Sequence, residues 1–125
     1  MEARVSTHQE ITLSRTAVLS YLLKLNKAID ARHSDLVQAI TERFNNVLVD
    51  YVSYGHFKFL TCCTPEPHQL AAIECNTQQA LRFSEKYEHI NSPPLDILKA
   101  DLERLALALE TRFELEDELV AGIAA

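Results

Sequence analysis

Only two glycines, Gly55 and Gly122, and four prolines, Pro65, Pro67, Pro93 and Pro94, interrupt this chain of 125 residues. So little punctuation leaves no room for the many turns of a stranded sheet and favours a few long elements. Tryptophan is absent. No stretch approaches the ~20 consecutive apolar residues of a membrane span, and Met1 to Glu10 lacks the apolar centre of a secretory signal. The cysteines are Cys62, Cys63 and Cys75, an odd number with an adjacent pair, which does not suggest a disulfide framework. A reducing cytoplasm is therefore the expected location. Leu, Ala, Glu and Gln, by contrast, are plentiful, and they favour helix. An apolar fraction of 47% is ordinary for a globular protein, so wholesale disorder is not expected. The length suits one domain over residues 1–125.

The net charge is −6 and it is unevenly placed. Residues 1–84 carry eight acidic and eight basic groups, whereas residues 85–118 carry ten acidic and four basic. The excess thus falls in the last third of the chain. It would repel a bare phosphate backbone, which disfavours direct DNA binding. It would attract and steer a basic protein partner. A solvated helix face that aids solubility is the plainer reading of the same charges.

Apolar spacing predicts four helices. Thr7 and Glu10 have the spacing of a capping box, opening a first helix to about Arg32 with Leu19, Leu22, Leu23 and Ile29 as its apolar residues. Ser34 and Asp35 can cap a second, whose stripe is Val37, Ile40, Phe44, Val47 and Tyr51, running to about Phe57 or Cys63. Gly55 inside it predicts a kink or a close helix approach. Thr64 followed by Pro65 pairs a cap with proline at the first helical position and opens a third helix with Leu70, Ile73, Thr77, Leu81 and Tyr87. Asn91-Ser92-Pro93-Pro94 ends that helix and caps a fourth, with Leu95, Leu98, Leu102, Leu105, Leu109 and Phe113. Short connections between four such helices predict an all-α, antiparallel four-helix bundle.

The fourth stripe breaks. Leu98, Leu102, Leu105 and Leu109 step by four, three and four, and the next two steps fall on Arg112 and Glu116. Charges in a seam are costly unless paired and hydrogen-bonded, and these two are themselves an i,i+4 pair. One expectation is a polar network inside the bundle that draws in Asn76, Thr77 or His56. The other is that the stripe turns to Phe113, Leu119 and Val120 and leaves both charges at the rim.

Little in the chain supports chemistry. Di-iron bundles need Glu-x-x-His pairs on facing helices, and none occurs, so no metal or cofactor is expected. His8, His33, His56, His68 and His89 fall on different segments. Cys62-Cys63 is not a Cys-x-x-Cys redox pair, and the glycines of a phosphate-cradling loop are missing. Ser53 and His56 are three apart on a predicted helix, and no oxyanion donor is evident. Catalysis is not expected.

The segment Leu48-Val49-Asp50-Tyr51-Val52-Ser53-Tyr54-Gly55-His56-Phe57 points instead to binding. Asp50, Ser53, Tyr54 and Phe57 are spaced by threes and fours and share one helix face. A mixed polar and aromatic face of this kind is common where a helix meets a partner.

This segment, followed by Asn76-Thr77-Gln78-Gln79 and by Arg112-Phe113-Glu114-Leu115-Glu116-Asp117-Glu118-Leu119, resembles the Rsd/AlgQ family. These are bacterial regulators that bind the housekeeping sigma factor of RNA polymerase. The motifs span roughly Ile40 to Val120. The resemblance implies an anti-sigma regulator that seizes region 4 of sigma, a basic helix-turn-helix. It further implies that Asp50, Ser53 and Phe57 touch sigma, with Phe57 as anchor and Asp50 as partner of a sigma Arg or Lys. A sugar-transport phosphocarrier or a stringent-response enzyme are further partners that it implies, and an adaptor for such proteins without strong sigma affinity is the alternative reading. The first third departs from the family pattern, being shorter and lacking tryptophan.

Overall fold

The computed structural model describes the backbone of residues 2–62, 65–89 and 92–123, and the side chains of these apart from residues 2–10, 56, 57, 59–62 and 122–123. Four helices account for nearly all of it: α1 (Glu2–Asp30), α2 (Ser34–Cys62), α3 (Pro67–Glu88) and α4 (Leu95–Ile123). The described residues contain no strand. α1 packs against α2 and α4, and α3 packs against the same two helices.

Two of the expected helix starts lie elsewhere. Thr7 is inside α1, which begins at Glu2, so the helix runs through the local capping signal. α3 is capped by Glu66 rather than Thr64, with Pro67 at its first position. The Glu66 N–H donates to Gln69 Oε1 at 2.9 Å, so a residue three positions on satisfies a donor that the helix leaves orphaned. Thr64, like Cys63 and Asn91, lies outside the described residues. α1 turns into α2 through Arg32, whose φ of 56° is left-handed. There the Arg32 N–H donates to Ile29 O and the His33 N–H to Ala28 O, the paired bonds of a Schellman turn.

The main core joins Val18, Leu22, Leu25 and Ile29 of α1 to Val37, Phe44, Leu48 and Tyr51 of α2, Phe83 and Tyr87 of α3, and Leu98 to Leu109 of α4. Phe44 and Phe83 meet edge to face at 5.8 Å between centroids. Burying each large apolar side chain here contributes roughly 1.5–3 kcal/mol. Leu19 and Leu23 do not join this core: they are 41% and 61% exposed. The inward stripe of α1 passes through Val18, Leu22 and Leu25, and the two misassigned leucines lie on flanks that no helix covers. A second, smaller cluster gathers Ile11, Ile73, Leu119 and Val120. Gly55 is buried within α2, which continues through it to Cys62.

Candidate functional site

Along α4, two charged residues between the two apolar clusters, Arg112 and Glu116, turn inward and are buried. Arg112 is 1% exposed and Glu116 0%. Nε of Arg112 donates to Glu116 Oε2 at 3.2 Å. Its Nη1 donates to Thr77 Oγ1 at 2.9 Å, and its Nη2 to the Val52 carbonyl at 3.2 Å. The other oxygen of Glu116 accepts from Nη2 of Arg15 at 3.0 Å and from the Tyr51 hydroxyl at 2.5 Å. Arg15 also donates to the Phe113 carbonyl at 2.9 Å and pairs with the exposed Asp117 at 2.9 Å. Glu116 is thus a hub touched by α1, α2 and α4, and Arg112 carries it on to α3 through Thr77.

The electrostatics of the hub are closed. Two guanidinium groups face two carboxylates, Glu116 and Asp117. Burial pushes the Tyr51 phenol well up, and the neighbouring Glu116 carboxylate adds to this, so the hydroxyl keeps its proton and donates it. Burial works against the Arg15 guanidinium, but Glu116 and Asp117 outweigh it and raise its affinity for its proton. Stacking adds to the order: Arg15 lies over the Phe113 ring at 4.8 Å and Arg112 over Tyr51 at 5.5 Å. A buried ion pair is stabilising only when its remaining donors and acceptors are met, and here nearly all of them are.

Of the residues expected in this network, Arg112, Glu116 and Thr77 come together. Asn76 does not join: it is buried, but its amide donates to Ala72 O of its own helix at 3.1 Å. A side chain one residue from Thr77 points about 100° away around the helix. The His56 side chain lies outside the described residues. Arg15 and Tyr51 are members that the sequence reading missed. Tyr51 falls on the apolar stripe, as expected, while its hydroxyl reaches Glu116 and its ring meets Arg112. Arg15 gives no local signal, because its partner is 101 positions away.

The second feature is the outer face of α2. Asp50, Ser53 and Tyr54 are exposed, Tyr54 by 39%. Asp50 therefore belongs to the surface and takes no part in the hub. The Phe57 side chain lies outside the described residues. Beside Asp50 runs a groove of about 340 Å³ between α2 and α3, lined by Asn45, Asn46, Val49, Leu81, Ser84, Glu85 and Glu88 as well. Among the described residues, three carboxylates and no cation line it. Asn45 is buried at one side, and its Oδ1 has no hydrogen-bond partner among the described residues. The three carboxylates make the groove suited to a donor of positive charge.

Among the described residues no group of three or more His, Cys, Asp or Glu is placed to hold a metal ion. No helix of these residues is long and apolar enough to cross a membrane. Cys75 is an exposed free thiol.

An all-helical frame whose outer face is acidic and concave beside an exposed polar and aromatic stripe has the makings of a surface for another protein. The family described as "Regulator of RNA polymerase sigma(70) subunit, Rsd/AlgQ" matches residues 6–124. The chain belongs to that family. The match reaches through α1, well beyond the segment from Ile40 to Val120 that carries the motifs. The chain is also similar to a protein named "Regulator of sigma D" from Sodalis glossinidius (strain morsitans), with 33% identity over 105 residues, 78% of this chain and 70% of the relative. No solved structure matches.

Proposed function

We propose that this protein is an anti-sigma regulator of the cytoplasm: it holds region 4 of the housekeeping sigma factor and keeps it from core polymerase and promoter DNA. It acts by binding alone, as a single domain. The observation that carries the reading is the acidic groove beside the exposed Asp50, which suits the basic helix-turn-helix that the family resemblance implies. Asp50 pairs with a sigma Arg or Lys, Ser53 and Tyr54 supply polar contacts, and Phe57 is the anchor. The frame behind them is an antiparallel bundle. Two cross-pairs support that arrangement: Arg15 meets Glu116 while Asp30, later in α1, meets Lys99, earlier in α4.

Titration of the purified protein with sigma region 4 in a calorimeter tests the proposal. We expect a saturable complex. Asp50→Lys should weaken it at least ~10-fold by placing like charge against the partner while leaving the thermal midpoint in place. The association rate in stopped flow should fall several-fold between about 0.02 and 0.2 M salt. A folded protein that does not bind region 4 would instead be an adaptor for other regulatory proteins.

A further inference from the structure

The groove and the hub leave the concave surface between α3 and α4 unused. A compact cleft of about 260 Å³ lies between α3 and α4, lined by Gln79, Arg82, Phe83, Lys86, Asp101, Arg104, Leu105 and Ala108. Its apolar lining includes Phe83 and Leu105, which are 6% and 4% exposed. Among the described residues, three cations stand around a single carboxylate. This local excess is out of keeping with the chain: residues 85–118 hold only four basic groups against ten acidic ones, and two of the four, Lys86 and Arg104, are here.

The carboxylate explains only part of the cluster. Asp101 accepts from Lys86 at 2.6 Å, from Arg104 and from the Tyr87 hydroxyl. Burial alone would raise its pKa, but these three donors outweigh it and hold the carboxyl at about 2. Asp101 therefore stays ionised and orients two cations that keep most of their N–H groups for a further acceptor. Lys86 and Arg104 remain 51% and 72% exposed, so a solute reaches them. Arg82 is the decisive residue: it lines the cleft and makes no ion pair or hydrogen bond among the described residues. Neutralising one carboxylate does not require three cations.

We propose that the cleft between α3 and α4 binds a small organic phosphate: a phosphate ester held by Arg82, Lys86 and Arg104, on a compact apolar or planar body seated against Phe83, Leu105 and Ala108. Guanidinium forks match phosphate oxygens in pairs, and the apolar floor gives a reason for the ester's body to add affinity. The volume is slightly below that of drug-sized pockets, which favours a small molecule over a peptide strand. The site shares no residue with the acidic groove, which uses Leu81, Ser84, Glu85 and Glu88 of the same helix. It stands independently of the sigma reading.

Adenosine monophosphate is the probe, with adenosine and inorganic phosphate as its two halves, titrated into the full chain by calorimetry without any protein partner. We expect saturable binding of the monophosphate, at least ~5-fold tighter than inorganic phosphate, with no binding of adenosine. Arg82→Gln removes no hydrogen bond or ion pair among the described residues, so it should weaken the monophosphate at least ~5-fold with an unchanged thermal midpoint. Ala108→Leu, which narrows the floor, should weaken the monophosphate more than inorganic phosphate. Inorganic phosphate binding as tightly as the ester would mean an adventitious ion only and would overturn the proposal. So would a monophosphate affinity indifferent to Arg82→Gln, no saturable binding at millimolar concentrations, or tighter binding of a phosphoserine peptide.

Discussion

Glu116→Leu is expected to cost ~3–5 kcal/mol of stability, because it leaves Arg112 charged and buried with only neutral oxygens to receive its donors. Arg112→Ala belongs in the same range. It empties a volume in the core and leaves Thr77 Oγ1 and the Val52 carbonyl without their donor, although Glu116 keeps Arg15 and Tyr51. The double variant Arg112→Met with Glu116→Leu should be much milder than either single change. No unpaired charge then remains in the core, and Arg15, 17% exposed, still has Asp117. Exchanging a buried ion pair for apolar residues of similar volume is often neutral or better. Urea melts of the three variants decide the matter. A single variant as stable as the parent would mean that the hub adds nothing to the fold.

Phe57→Ala should weaken the proposed complex with sigma region 4 by ~2 kcal/mol or more, roughly 30-fold in affinity. The reason is positional. Phe57 lies seven residues after Asp50 and four after Ser53, on the helix face whose members Asp50, Ser53 and Tyr54 are exposed. An aromatic side chain on such a face carries more binding energy than its polar neighbours, which serve mainly to exclude water around it. Calorimetry must be paired with a thermal melt. Unchanged affinity with a lowered midpoint would place Phe57 in the core and move the anchor elsewhere.

Spacing showed the break in the fourth stripe and left two outcomes open: the steps of four and three could continue inward, or the stripe could turn to Phe113, Leu119 and Val120. The first holds for Arg112 and Glu116, which are buried. Periodicity reports which way a side chain faces, however, and says nothing of what it meets. Arg15 stayed invisible, since only the packing of α1 on α4 brings it to Glu116. The same limit explains Leu19 and Leu23. α1 carries leucines around much of its circumference, and the side that turns inward is chosen by its neighbours. The start of α3 failed for a different reason. Thr64-Pro65 and Glu66-Pro67 offer the same local pattern two residues apart, and threonine is the stronger cap by type. Gln69, reaching back to the Glu66 N–H, accompanies the later start. The α2–α3 groove was not legible at all, because Glu85 and Glu88 sit far from Asp50 in sequence and only helix packing assembles them.

The hub also bears on how fast this protein comes apart. Apart from the Arg112–Glu116 pair, its side-chain bonds close long loops: 101 positions from Arg15 to Glu116, 65 from Tyr51 to Glu116 and 35 from Thr77 to Arg112. Contacts of that span cost the most loop-closure entropy and are satisfied only when four helices are already docked. Interactions that form after the folding barrier act on escape from the native state and leave its formation rate alone. The Glu116→Leu protein should therefore refold at close to the parental rate and unfold far faster, a shift confined to the unfolding arm in stopped-flow denaturant jumps. In kinetic terms the buried charges are a latch: they lengthen the lifetime of each folded molecule without hastening its arrival.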